Sequence, residues 1–124
     1  MAEQDGRRVL VVEDNPDTAR TLRLLLSLEG HEVRVAHTGP DGVQAAREFG
    51  PEVVLCDIGL PGLDGFGVAS QLREGADTAG ARLIALTGFS DDATRRRAAE
   101  SGFDHFLTKP ADPYLLLRLL AAPR

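Results

Sequence analysis

Several features that mark particular classes of protein are scarce or absent in this chain of 124 residues. A single cysteine, Cys56, excludes an internal disulfide framework. No apolar run approaches the roughly 18 residues that a membrane-spanning helix requires, and residues 1–6 lack the apolar stretch of a signal peptide. The net charge of −5 argues against a surface built for nucleic-acid phosphates. With 43% hydrophobic residues, the composition predicts a globular, cytoplasmic domain that binds neither membrane nor nucleic acid.

What the chain does have is a regular alternation of short apolar runs and amphipathic helical patterns. The runs predict five strands, at residues 9–12, 33–36, 53–56, 83–86 and 105–108. The helical patterns predict five helices, which begin near Pro16, Pro40, Phe66, Asp91 and Pro113. Because strand–helix–strand units connect through right-handed crossovers, the alternation predicts one α/β domain, a doubly wound parallel sheet with helices on both faces.

The most informative segment is the strand at 53–56, which leads directly into Asp57 and a glycine-rich loop that reaches Gly65. An uninterrupted apolar run is typical of a strand that is covered on both faces. In open α/β sheets, ligands bind in the crevice beyond the carboxyl ends of the strands. A carboxylate at the border of a core requires a partner, so the position of Asp57 predicts a binding site.

Polar residues also follow three of the other strands: Glu13 and Asp14 the first, Thr87 the fourth and Lys109 the fifth. Each alone would be interpreted as a cap, a loop residue or a surface residue, but the ends of parallel strands meet at one edge. Three converging carboxylates repel one another unless a cation is present, and Mg²⁺ prefers such oxygen ligands. The Lys109 ammonium and the Thr87 hydroxyl suit phosphoryl oxygens. The set therefore favours phosphoryl transfer, with Asp57 as the nucleophile that becomes an acyl phosphate.

Four sequence blocks carry a resemblance to a known family: Glu13-Asp14-Asn15, Asp57-Ile58-Gly59-Leu60-Pro61-Gly62-Leu63-Asp64-Gly65, Ala85-Leu86-Thr87-Gly88 and Thr108-Lys109-Pro110. In this order and spacing they resemble the signature blocks of response-regulator receiver domains of two-component signalling, the CheY-like superfamily. The resemblance covers residues 8–122 and implies a flavodoxin-like fold with strand order 2-1-3-4-5. It further implies a flexible N-terminus over residues 1–7 and no output domain.

By this resemblance, Asp57 accepts a phosphoryl group from a phosphohistidine of a sensor histidine kinase or a histidine phosphotransfer protein. Glu13, Asp14, Asp57 and the backbone carbonyl of Gly59 hold Mg²⁺, and Lys109 pairs with the phosphoryl group. The chain is then a switch in a phosphorelay and not an enzyme with a separate substrate, since it catalyses only its own phosphorylation and dephosphorylation.

The resemblance also implies how such a switch would work. Thr87 moves toward the phosphoryl group, Phe106 changes rotamer to follow it, and the surface of the fourth helix, fifth strand and fifth helix changes. That surface is expected to contact a partner or a second copy of the chain through Arg95, Arg96, Arg97, Phe106 and Leu117. On pattern alone, the favoured interpretation of residues 95–97 is a solvated helix face. The family also implies a cis peptide bond before Pro110.

Other function classes use some of the same features. A Mg²⁺-dependent phosphatase or hydrolase would share the aspartyl nucleophile, but many such enzymes need a second acid two residues later, where this chain has Gly59. A nucleotide- or flavin-binding domain would need glycines after the first strand, where residues 13–17 are acidic and hold none. A receiver module excised from a hybrid histidine kinase is a further alternative, because residues 85–110 are more similar to receivers of that kind.

Overall fold

The computed structural model describes residues 6–89 and 91–122, along which five strands and five helices alternate. The strands are β1 (Arg8–Val12), β2 (Glu32–Ala36), β3 (Val53–Asp57), β4 (Arg82–Thr87) and β5 (His105–Thr108). The helices are α1 (Pro16–Leu28), α2 (Gly39–Phe49), α3 (Gly65–Glu74), α4 (Asp92–Ser101) and α5 (Pro113–Ala121). None of these helices is long and apolar enough to cross a membrane. The predicted flexible segment over residues 1–7 falls mainly on residues 1–5, which lie outside the described residues.

All five strands run parallel in the order β2-β1-β3-β4-β5, which confirms the predicted fold class and strand order. Strand β3 is central, and its last residue, Asp57, lies opposite Leu86 of β4. In the same way Thr87, the last residue of β4, lies opposite Thr108 of β5. The chain therefore leaves β1, β3, β4 and β5 along one side of the sheet, here called the carboxyl edge.

The sheet separates two hydrophobic clusters, one on each face. Successive residues of a strand point to opposite faces, so Leu10 of β1 packs with Leu72 of α3 while Val9 packs with Leu26 of α1 and Leu116 of α5. Helices α2, α3 and α4 cover the first face, and α1 and α5 cover the second. Burial on both sides explains why the central strands appear in the sequence as unbroken apolar runs.

Local capping signals fix where the helices begin and end. Asn15 caps α1 and accepts hydrogen bonds from the backbone N–H groups of Asp17 (3.0 Å) and Thr18 (3.1 Å). Pro16 then occupies the first helical position, where its missing N–H does no harm. Gly102 ends α4 with a φ of 113°, a conformation that residues with a Cβ rarely adopt.

Three strands begin one residue earlier than predicted, β1 at Arg8, β2 at Glu32 and β4 at Arg82. The backbone N–H of Arg82 donates to the carbonyl of Glu52 (2.9 Å), and its buried guanidinium donates to the carbonyl of Leu119 in α5. A charged residue beside an apolar run is typical of a loop. The contact with α5, made across 37 residues of sequence, helps to explain why this arginine belongs to the core.

Candidate functional site

Three carboxylates meet at the carboxyl edge. Glu13 follows β1 directly, and its backbone N–H donates to the carbonyl of Ala36 (2.9 Å), which extends the sheet by one bond. Asp57 ends β3 with its side chain buried, whereas Asp14 is exposed. One carboxylate oxygen from each of Glu13, Asp14 and Asp57 lies within 4.8 Å of the other two. The strand ends thus bring together the three acids that the sequence predicted to converge.

Lys109 places its ammonium inside this acidic cluster. Its Nζ lies 2.8 Å from Oε1 of Glu13 and 3.0 Å from Oδ2 of Asp57. The bond to Asp57 is a well-directed hydrogen bond, while the contact with Glu13 is an ion pair without hydrogen-bond geometry. The backbone of Lys109 is held by its N–H, which donates to the carbonyl of Thr87 (2.7 Å). The peptide bond to Pro110 is cis, as the resemblance implied.

The cluster is short of positive charge. Burial raises the pKa of Glu13 above its usual value, and the negative charge of Asp57 adds to the effect, although the bonds to Lys109 and to the N–H of Asn15 oppose it. Burial alone would lower the pKa of Lys109, but its bonds to Glu13 and Asp57 outweigh burial, so the pKa is raised. Lys109 therefore stays charged and still leaves the acids under-compensated.

This donor set suits a hard divalent cation. Glu13 is fully buried and its Oε1 has an ion-pair contact but no directed hydrogen bond, which leaves a carboxylate oxygen with coordination capacity. Mg²⁺ is typically bound by one or two carboxylates together with waters and phosphoryl oxygens. The residues present at the carboxyl edge fit such an ion on their chemistry and on their mutual spacing.

A pocket of about 320 Å³ opens beside Asp57, and Gly59, Thr87, Phe89 and Arg97 are among the residues that line it. The backbone N–H of Gly59 donates to Oδ1 of Asp57 (2.9 Å), which orients the carboxylate. The buried Thr87 hydroxyl accepts a hydrogen bond from the N–H of Phe89 (3.0 Å). Thr87 therefore lies in the same pocket as Asp57, with its hydroxyl held by the following loop.

Gly65 is required by the close approach of α3 to the end of β3. A Cβ at Gly65 would lie 2.6 Å from the carbonyl oxygen of Asp57 and 2.6 Å from Cα of Ile58. A Cβ at Gly59 would meet only Oδ1 of Asp57, at 3.6 Å, so the backbone does not demand glycine there. The absence of a side chain at Gly59 therefore leaves the pocket open and is not a folding requirement.

The predicted switch and contact residues lie on α4, β5 and α5. Phe106 is half-buried, and the guanidinium of Arg95 lies 4.7 Å from the centre of its ring. The guanidinium of Arg97 lies 4.2 Å from the ring of Phe66 in α3. The interpretation of residues 95–97 as a plain solvated face therefore misses two aromatic contacts, which no spacing in the sequence signals because Phe66 and Phe106 are distant along the chain.

The residue of α5 that was predicted to belong to the contact surface, Leu117, is not one of the exposed apolar residues of that helix. Leu117 is half-buried and packs against the cluster that α1 and α5 cover. The exposed apolar side chains of the helix are Tyr114 (82% exposed) and Leu115 (41%). Helical spacing shows that five leucines cannot all face the sheet, but it does not show which of them faces outward.

The family model for the response regulator receiver domain matches residues 9–121. Protein PilH of Pseudomonas aeruginosa is 37% identical over 115 residues, which cover 93% of this chain and 95% of PilH. The transcriptional regulatory protein KdpE of Mycobacterium tuberculosis is 38% identical over 118 residues, which cover 94% of this chain and 50% of KdpE.

Among solved structures, the receiver domain of the sensor histidine kinase PA1611 from Pseudomonas aeruginosa has a TM-score of 0.85 and 29% sequence identity to this chain. The match covers 93% of this chain and 94% of that one, and that structure has a magnesium ion coordinated in its active-site cleft. The extent of the family match and the identity to PilH establish the assignment: this chain belongs to the response regulator receiver domain family.

Proposed function

We propose that Asp57 accepts a phosphoryl group from a phosphohistidine of a sensor histidine kinase or a histidine phosphotransfer protein. The observation that carries the proposal is the position of the Lys109 ammonium, 3.0 Å from Asp57 Oδ2, inside a carboxylate cluster that opens to a pocket. Receiver domains are signalling modules that work with such kinases, and PA1611 is a sensor histidine kinase with a receiver of similar structure.

In the transfer step, an oxygen of Asp57 attacks the phosphorus atom of the phosphohistidine. The new P–O bond forms as the P–N bond breaks, and the bonding electron pair returns to the imidazole nitrogen of the donor. The N–H of Gly59 holds Oδ1, and Lys109 neutralises charge on the transferring group. The hydroxyl of Thr87 is placed to donate to a phosphoryl oxygen once it turns away from the N–H of Phe89.

Glu13, Asp14, Asp57 and the backbone carbonyl of Gly59 are the residues we expect to hold Mg²⁺. When bound, the ion supplies positive charge that stabilises the oxygens of the transferring phosphoryl group. The raised pKa of Glu13 and the 4.8 Å spacing of the carboxylate oxygens support this assignment. The receiver domain of PA1611, which has a similar structure, coordinates magnesium in its active-site cleft and so supports the assignment as well.

A signalling role is favoured over hydrolysis of a small phosphomonoester. Many hydrolases with an aspartyl nucleophile need a second acid two residues after it as general acid or base, and in this chain that position is Gly59. Output then depends on a changed surface. We propose that Thr87 and Phe106 carry the change to α4, β5 and α5, where Arg95 already lies over the ring of Phe106.

The test is phosphorylation by acetyl phosphate with Mg²⁺, followed by intact mass. We expect one added phosphoryl group on the wild-type chain, none on Asp57→Asn, and much less when EDTA removes the metal. Asp77→Asn is the matched control, because this acid is exposed and lies outside the carboxylate cluster. Labelling of Asp57→Asn at the wild-type level would refute the assignment of the acceptor.

A further inference from the structure

The pocket beside Asp57 has a cationic side that the mechanism above does not use. Lys109 approaches Asp57 from the neighbouring groove between α1 and α5 and does not line this pocket. Among the described residues that do line it, the cationic side chain is Arg97. The acceptor therefore lies between two positive charges on different sides, the Lys109 ammonium and the Arg97 guanidinium.

Helix α4 aims Arg97 at this pocket. Ala93 and Thr94 line the pocket as well, and residues three and four apart on a helix share a face. The Arg97 guanidinium rests on the ring of Phe66, 4.2 Å from its centre, and Phe66 lines the same pocket. A cation–π contact at an exposed site is weak, so it holds the guanidinium near the pocket without fixing it there.

We propose that Arg97 is a second cation for the phosphoryl group on Asp57, an inference that rests on the proposed function. A phosphoryl group adds roughly two negative charges at Asp57, and the cation already bound to Asp57, Lys109, is shared with Glu13. A guanidinium presents a fork of N–H donors that matches phosphoryl oxygens. Movement of the Arg97 guanidinium from the ring of Phe66 to the phosphoryl group would couple the pocket-facing side of α4 to the phosphorylation of Asp57.

The test measures the affinity of the chain for beryllofluoride, a mimic of the phosphoryl group. Beryllofluoride is titrated into the protein in the presence of Mg²⁺, and binding is followed through the amide resonances of Gly59 and Gly88. Arg97→Met keeps the apolar stem over Phe66 and removes the charge, whereas Arg97→Lys keeps a charge. We expect Arg97→Met to bind about three- to tenfold more weakly than wild type and Arg97→Lys to bind within about twofold. The loss should shrink at high salt because the interaction is electrostatic.

Arg96→Met is the matched control, since Arg96 is the exposed neighbour on α4 and does not line the pocket. Arg97→Gln is a second charge-free variant in case the Met variant folds poorly. Wild-type affinity in both charge-free variants would overturn the role of Arg97 and leave the proposed function intact. Failure of the folded wild-type chain to bind beryllofluoride would overturn both proposals together.

Discussion

Charged residues at the two edges of the sheet differ in how far their charges are compensated by partners. At the carboxyl edge, carboxylate oxygens of Glu13, Asp14 and Asp57 lie within 4.8 Å of one another, and Glu13 and Asp57 share Lys109. At the amino edge, where the strands begin, charged side chains bond to backbone groups and to opposite charges. Arg8 Nε donates to the carbonyl of Gly50 (2.9 Å), for example.

Arg73, near the end of α3, is an extensively bonded charge on the amino side. Its guanidinium donates to the carbonyls of Ala79 (2.7 Å), Ala81 (2.7 Å) and Gly102 (2.6 and 2.9 Å) and pairs with Asp104 (2.8 Å). It thereby joins α3, the loop before β4 and the end of α4. The comparison indicates that the amino edge is organised for stability, while the carboxyl edge retains uncompensated charge for a ligand.

The largest effect is expected from loss of the Arg73 side chain on the amino side. Arg73→Ala should lower the free energy of unfolding by about 2–4 kcal/mol, because the partly buried carbonyls of Ala81 and Gly102 lose a charged donor at once. Urea unfolding measures the loss. Arg96→Ala is the control and should change stability by less than about 0.5 kcal/mol, since Arg96 is exposed. A loss of similar size in both variants would contradict the special role of Arg73.

Mg²⁺ should stabilise the carboxyl edge. At ten times its dissociation constant, an ion that binds only the folded chain raises the free energy of unfolding by about 1.4 kcal/mol. Urea unfolding with MgCl₂, compared with NaCl at equal ionic strength, measures this gain. The gain should vanish in Asp57→Asn, and an equal gain in that variant would place the ion elsewhere.

Glu13→Gln should raise the free energy of unfolding by about 1 kcal/mol at neutral pH without Mg²⁺. The reason is that burial and the charge of Asp57 raise the pKa of Glu13, so its ionised form opposes folding. Glu52→Gln is the matched control at the amino edge, where the carboxylate accepts from the N–H of Arg8 (3.1 Å). Glu52→Gln should lower the free energy of unfolding. A change of the same sign in Glu13→Gln and Glu52→Gln would contradict the contrast between the two edges.

The smallest effect is a pH dependence at the amino edge, under about 1 kcal/mol. Burial, with the charge of Arg7, lowers the pKa of His31 below its usual 6.5, although Glu29 and Glu52 oppose this. The Nδ1 of His31 accepts from the N–H of Arg7 (3.0 Å), which requires that nitrogen to be unprotonated. The folded chain therefore binds fewer protons than the unfolded chain.

It follows that this contribution is fully present above pH 6.5 and is lost as the pH falls below that value. Unfolding of wild type and His31→Gln between pH 7.5 and 5.5 measures it, and the variant should show the flatter profile. Glu13 acts with the opposite sign, since a raised carboxyl pKa favours folding on acidification. An unchanged profile in His31→Gln would show that the histidine does not sense pH.

Much of the carboxyl edge is predictable from the sequence because it depends on local rules. Buried strands appear as apolar runs, the ends of parallel strands meet, and residues that follow those runs must then lie together. Glu13, Asp57, Thr87 and Lys109 are found by this reasoning alone. The cap at Asn15 and the helix end at Gly102 are local for the same reason.

The amino side and α4 are far less predictable because their contacts are distant in sequence. Arg73 bonds to residues up to 31 positions away, and Arg82 bonds to a carbonyl 37 positions away. The contact of the Arg97 guanidinium with the ring of Phe66 likewise joins two helices. An arginine in a helical pattern carries no signal of whether its guanidinium meets water, a ring or a carbonyl until the helices are packed.

The most direct test of the central claim locates the phosphoryl group. Borohydride converts an aspartyl phosphate to homoserine, so treatment of the acetyl-phosphate-labelled chain followed by peptide mass mapping identifies the acceptor. We predict homoserine at position 57, with none at positions 13 or 14, and much less at position 57 when Mg²⁺ is withheld. Homoserine at another acid, or a label retained on a histidine, would contradict the assignment of Asp57 as the phosphoryl acceptor.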